Sequence, residues 1–305
     1  MRNYDLMRAL QTVEKTMGFV LHRWLIFLAM AAGFLLATLA GAGTAVGLGS
    51  LSSNALTFGH FGAISGFAAF AFLAFKFRRS LFLSVRLPHL LLLKRIGQDA
   101  EALPEGRAQL NFARNAISEQ AVQPSTIWDI RQSAAAVLSE CTTHLRTKEP
   151  QPTRLSTAAT RLLAIRSQAD ADLVVTALFD QPVSNVWQSV RDRLLLLAKN
   201  APVLNKSGLT LAAFAAAGWF FAYLLLLLAF QKIAGTLPFP TGLWPHVFAF
   251  LFGWNIKASF LEPTVQAALL QIPLTPVEPE EAERLAKTLA ACSPAFRDIE
   301  ERARK

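Results

Sequence analysis

From residue 24 to residue 75 the chain carries no Asp, Glu, Lys or Arg. About 20 apolar residues cross a bilayer as a helix, so the block is long enough for two crossings and a turn. The glycine- and serine-rich stretch near its middle supplies that turn. The same signature recurs over residues 207–256, where Lys232 is the only charged residue. Two such blocks predict an all-α, polytopic membrane protein: four transmembrane helices in two hairpins, with a helical cytoplasmic domain between them. Composition agrees, since 53% of the chain is hydrophobic and only 17% is charged, whereas a soluble protein carries about a quarter charged residues.

The predicted spans run over about 25–46, 58–75, 209–230 and 243–262. Basic residues near span ends set the orientation. Arg2, Arg8, Lys15 and Arg23 precede the first span, and Lys76, Arg78, Arg79, Arg86, Lys94 and Arg95 follow the second. The two short loops on the other side carry only Lys232. Both termini and the middle segment are therefore expected on the cytoplasmic face of the membrane, with the six-residue basic cluster on anionic headgroups. A net charge of +9 distributed in this way points to lipid rather than nucleic acid. The first span is read as a crossing, not a signal peptide, because a second span follows it directly.

The remaining organisation follows from periodicity. Over residues 1–24, Leu6, Leu10, Val13 and Met17 predict a short amphipathic helix on the inner leaflet. Residues 76–206 form the inserted domain. Its opening run, residues 81–93, is apolar, basic and broken at Pro88, and reads as interfacial. Further on, Ile127, Ile130, Ala134, Val137 and Cys141 make one apolar seam on a helix, expected in an antiparallel pair, with Thr126 and Asp129 as its capping box. Trp187, Val190, Leu194 and Leu197 mark another helix, and residues 147–153 with two prolines read as a loop tip. Residues 207–262 hold the second hairpin, and residues 263–305 a cytoplasmic tail. Cys141 and Cys292 are expected as ordinary thiols in a reducing compartment.

Three groups of residues are candidates for function. Gly43 with Gly47 and Gly62 with Gly66 are GxxxG pairs, which let helix backbones approach closely. They serve either packing within one chain or the contacts of a homo-oligomer. Asn255, Lys257 and Glu262 place polar and charged groups in the fourth span, where charge is expensive and pairs or faces a cavity. Lys257 and Glu262 are five residues apart, about 140° around an α-helix, so each is expected to have its own partner. They are pore or gate residues, or else Lys257 snorkels to headgroups with Glu262 at the water boundary. His60 and His246 open the second and fourth spans on the outer side, and nothing in the sequence places them together. No catalytic signature, cofactor motif or metal-ligand spacing is present, so no enzymatic activity, cofactor or metal is expected.

Several short phrases resemble a group of four-span bacterial inner-membrane proteins without an assigned activity: Leu103-Pro-Glu-Gly106 with Gln109 and Arg114, Leu197-Ala-Lys-Asn200, Ile256-Lys-Ala-Ser-Phe-Leu-Glu-Pro263, and Cys292-Ser-Pro-Ala-Phe-Arg297. This resemblance implies a bacterial inner membrane. The layout of two spans, a cytoplasmic domain and two spans is similar to MotA-type flagellar stator subunits. Pro263 falls where that family has a proline, while the third span lacks the family's proline and glycine-rich run. The expected function is an oligomeric, channel-like or transport-associated subunit. The alternatives are a membrane scaffold that recruits a soluble or membrane protein partner, and a stator-like unit.

Overall fold

The computed structural model describes residues 4–50, 55–97, 107–118, 122–146, 169–179, 185–236 and 241–305. The chain is all-helical, with 89% helix and no strand among these residues. The expected loop tip at 147–153 and the phrase at 103–106 lie outside them. The described elements are α1 (Leu6–Lys15), α2 (Met17–Gly49), α3 (Ala55–Leu81), α4 (Leu87–Gly97), α5 (Arg107–Ser118), α6 (Pro124–Arg146), α7 (169–177), α8 (Val186–Lys199), α9 (Ala201–Ala234), α10 (Trp244–Ile256), α11 (Glu262–Leu270), α12 (Pro279–Cys292) and α13 (Pro294–Ala303). π turns over Phe82–Arg86 and Lys257–Leu261 join α3 to α4 and α10 to α11.

Among the described residues, three helical stretches are long and apolar enough to cross a membrane: Met17–Gly49, Ala55–Gly97 and Ala201–Ala234. The fourth expected span differs. Its α10 has 13 residues, about 20 Å at 1.5 Å per residue, against a hydrocarbon core of about 30 Å. Helix continues past it only through a π turn that carries Lys257.

The chain forms two compact units. One comprises Phe19–Val85 and Ala216–Glu262. Within it, α2 and α3 approach backbone to backbone. A Cβ on Gly41 would strike the Gly62 carbonyl, one on Gly62 would strike the Gly41 carbonyl and Ala45, and one on Gly66 would strike the Ala37 carbonyl. The face of α2 that packs is therefore Ala37, Gly41 and Ala45, spaced by four residues. Gly43 and Gly47 lie two residues out of that register, about 200° around the helix, and have nothing within 4 Å of a Cβ position. Of the two GxxxG pairs, only Gly62/Gly66 packs inside the chain. Aromatic rings fill the remaining space: Phe34 lies 4.9 Å from Phe67 and 4.8 Å from Phe70, and Trp219 lies 5.3 Å from Phe250. Such tilted or edge-on pairs contribute about 0.5–1.5 kcal/mol each beyond area burial.

The other unit comprises Met1–Gly18, Arg86–Ala215 and Pro263–Lys305. Its centre includes α4, where Leu87 through Leu93 and Ile96 are all buried. This corrects the interfacial reading for residues 87–93, which are buried within the unit rather than spread on a lipid surface. Truncating one of these leucines to Ala costs about 2–5 kcal/mol. α1 packs on α4, with Thr16 Oγ and His89 Nε2 3.1 Å apart, and buries Ala9, Thr12 and Val13 while Met7 and Leu10 stay exposed.

The expected α6 seam is buried from Ile127 to Cys141 and is covered by α8, α12 and α13 rather than by one antiparallel partner. α6 starts at Pro124, two residues before the expected cap, using the fixed φ of proline at the first helical position. Asn185 caps α8, accepting from the backbone N–H groups of Trp187 and Gln188.

Candidate functional site

The two π turns share one local cause. Each is followed by a proline in the same register: Ser84 precedes Pro88 by four residues, and Ser259 precedes Pro263 by four. A proline inside a helix has no N–H for the carbonyl four residues back, and its ring clashes with that carbonyl. Widening the preceding turn relieves the clash. In the second turn the Glu262 N–H donates to the Lys257 carbonyl, a five-residue step.

That step changes the chemistry of the fourth apolar segment. In an α-helix Lys257 and Glu262 would point about 140° apart. The wider turn brings them onto one side, with Lys257 Nζ 3.8 Å from Glu262 Oε1. The expectation of separate partners is thus corrected. Glu262 Oε2 also lies 3.2 Å from Arg23 Nη2 on α2. The Arg23 side chain is 0% exposed, and those of Lys257 and Glu262 are 16% and 20% exposed. Phe27, one turn along α2, lies under the Arg23 guanidinium at 5.7 Å, and the Trp254 ring lies 4.0 Å from Lys257 Nζ. The triad holds two cations on one carboxylate, a formal charge of +1. Asn255 is buried nearby in sequence, and its Oδ1 accepts from Ser259 Oγ at 3.1 Å.

Arg23 is one residue whose role the sequence does not announce. It read as one of several flanking bases that set orientation. The available signal was its place directly before the uncharged block that begins at residue 24.

The basic cluster divides in two. Lys76, Arg78 and Arg79 are exposed on α3, with Lys76 5.3 Å from the Phe72 ring and Arg78 4.0 Å from that of Phe75. Arg86, Lys94 and Arg95 are engaged within their own unit instead. Arg86 lies 3.5 Å from Asp172, Lys94 Nζ donates to the Thr176 carbonyl at 3.0 Å, and Arg95 lies 4.9 Å from the Phe112 ring. Asp172 is fully buried and is the hub of a second ionic cluster. It accepts from Arg131 Nε at 2.7 Å and from Gln266 Nε2 at 3.3 Å. Each carboxylate oxygen is therefore occupied, and segments before α4, on α6, on α7 and on α11 converge on one charge. Sequence reading missed Asp172 because its partners are 41, 86 and 94 positions away in kind: a helix periodicity carries no information on such pairs.

His246 Nδ1 lies 2.9 Å from the Tyr223 hydroxyl, while His60 is exposed. Among the described residues no group of three or more His, Cys, Asp or Glu side chains is placed to hold a metal ion. Comparison with known proteins found no matching family model, no matching curated protein and no matching solved structure.

Proposed function

We propose that the protein is an oligomeric, channel-like or transport-associated membrane subunit in which Arg23, Lys257 and Glu262 form a gate at the inner mouth of a pathway. The observation that carries this reading is the triad itself. Charged groups at membrane depth are expensive and mark pathways, and a shared carboxylate between two cations is an arrangement that can exchange partners. An apolar contact would hold two helices together as well or better, so packing alone gives no reason for three charges. In this reading the fourth crossing is α10 continued through its π turn. Both termini face the cytoplasm of a bacterial cell, and Lys76, Arg78 and Arg79 meet anionic headgroups. The open face of α2 at Gly43 and Gly47 is the surface on which copies associate.

The test is ion flux through the reconstituted full-length protein in liposomes. Glu262→Gln and Lys257→Met are expected to change flux several-fold while Glu283→Gln, exposed on α12, leaves it unchanged. Wild-type protein without flux above empty liposomes for cations, anions and protons would end the gate reading.

A second reading is favoured by the unit of Met1–Gly18, Arg86–Ala215 and Pro263–Lys305, whose own buried core and ionic cluster suit a scaffold for a soluble or membrane partner. There, Lys257→Ala and Glu262→Ala are silent in function. A stator-like, proton-driven role requires a partner with an intramembrane carboxylate, because the apolar blocks carry none near their centres.

A further inference from the structure

The two cysteines stand together although they are far apart in sequence. Cys141 closes the buried seam of α6 and is 4% exposed. Cys292 is the last residue of α12, is half-buried, and its thiol donates to the Thr288 carbonyl at 2.9 Å. The two thiols lie close enough to interact electrostatically, and both are free. The neighbouring residues repeat the contact independently: Ser293 Oγ donates to Glu140 Oε2. Ser293 also caps α13 by accepting from the Phe296 N–H at 3.2 Å. The backbone on both sides of the thiol pair is thus held by a side-chain bond between adjacent residues, and α6 packs on both α12 and α13.

We propose that Cys141 and Cys292 are a redox modification site, forming a reversible intramolecular disulfide with a low-molecular-weight disulfide such as glutathione disulfide as oxidant, which staples α12 and α13 to α6. The roles of the two sulfurs are unequal. Cys292 is the accessible one and reacts first: its thiolate attacks one sulfur of glutathione disulfide, forms a mixed disulfide, and releases one glutathione thiolate. The Cys141 thiolate then attacks the Cys292 sulfur and releases the second. Two protein thiols are oxidised, one glutathione disulfide is reduced to two glutathione thiols, and these take up the two protons that the cysteines lose. Burial, reinforced by Cys292 and Glu140, pushes the Cys141 thiol up to about 12. Cys141 is therefore inert toward bulk reagents and reacts only through the sulfur already beside it. Pairs of this kind in reducing compartments are transient and serve sensing. The proposal is independent of the gate reading.

The test uses the full chain in nanodiscs, incubated with glutathione disulfide, quenched with iodoacetamide, and digested without reductant for mass spectrometry. The expected product is a peptide pair linked through residues 141 and 292, with both thiols lost together and both recovered in dithiothreitol. Cys141→Ser is expected to stop at the Cys292–glutathione adduct, and Cys292→Ser to leave Cys141 reduced under the same conditions. Unchanged thermal unfolding of each variant serves as the folding control. A wild-type protein that ends as a stable Cys292 adduct with Cys141 free, links only between chains, or keeps both thiols would overturn the proposal.

Discussion

Replacing Glu262 by Gln removes the only anion of the triad while keeping its size and an acceptor oxygen. Two cations, one of them fully buried, then share a site without the carboxylate that lies 3.2 Å from Arg23 and 3.8 Å from Lys257. A unit pair at 4 Å interacts by about 4 kcal/mol at an effective dielectric constant of 20. Breaking a buried pair from one side costs about 3–5 kcal/mol. Because the Glu262 side chain is 20% exposed, screening places the loss at the lower end, about 3 kcal/mol. Arg23→Met is expected to cost less, about 1–2 kcal/mol, because the remaining Lys257–Glu262 pair is still formed and a buried cation is removed. The assay is reversible unfolding in mixed micelles with increasing dodecyl sulfate, followed by tryptophan fluorescence and helical circular dichroism. The order of costs, Glu262→Gln above Arg23→Met, is the diagnostic. Equal stability of wild type and Glu262→Gln would show that the carboxylate sits in water, and the reasoning would fail.

Glycine substitutions separate packing within the chain from association. Gly41→Ala and Gly62→Ala each drive a methyl into a facing carbonyl and are expected to destabilise by about 1–3 kcal/mol, read by thermal unfolding in detergent. Gly43→Leu with Gly47→Leu enters open space, so unfolding is unchanged and only particle mass falls. Asp172→Asn leaves Arg131 and Arg86 facing a neutral amide and is expected to cost about 3 kcal/mol, with Asp192→Asn on the exposed side of α8 as the near-silent control. The Cys141 thiol, at 9.0 when unconstrained and about 12 in the fold, contributes stability that is full below pH 9.0 and lost as pH rises toward 12, since the unfolded chain releases that proton first. In the Cys292→Ser variant, alkylation of Cys141 by iodoacetamide is expected to stay slow through pH 9 and to accelerate only above it. Burial is the main cause and survives that substitution.

The three long apolar helices were legible because a charge-free run of about 20 residues or more suits a helix long enough to cross a membrane. The seam from Ile127 to Cys141 and the apolar face of α8 were legible for a local reason too, since period is written within a few residues, whereas the start expected at Thr126 falls at Pro124. What escaped depends on pairs distant in sequence or on departures from ideal helix geometry. Arg23 and Glu262 are 239 positions apart, and no local pattern links them. Lys257 and Glu262 were placed on different sides by ideal α-helix arithmetic, and the π turn before Pro263 rotates them together. That proline was visible, so the correction was available from the sequence once the lost N–H at position 263 was followed to its consequence. GxxxG spacing singles out Gly43 and Gly47 on α2, but its packing face uses Ala37, Gly41 and Ala45, because small rather than specifically glycine is what close approach requires. Leu87 through Leu93 looked interfacial because basic residues surround it, yet three of those bases turn out to have partners in their own unit.

The most direct test of the proposed assembly is the lipid-corrected mass of the particle in nanodiscs, taken by native mass spectrometry. A shared pathway predicts a closed multiple of the 33.4 kDa chain, reduced toward the single chain by Gly43→Leu with Gly47→Leu. A particle of one 33.4 kDa chain across the working concentration range would contradict it, since three or four helices alone leave no pathway for the triad to gate.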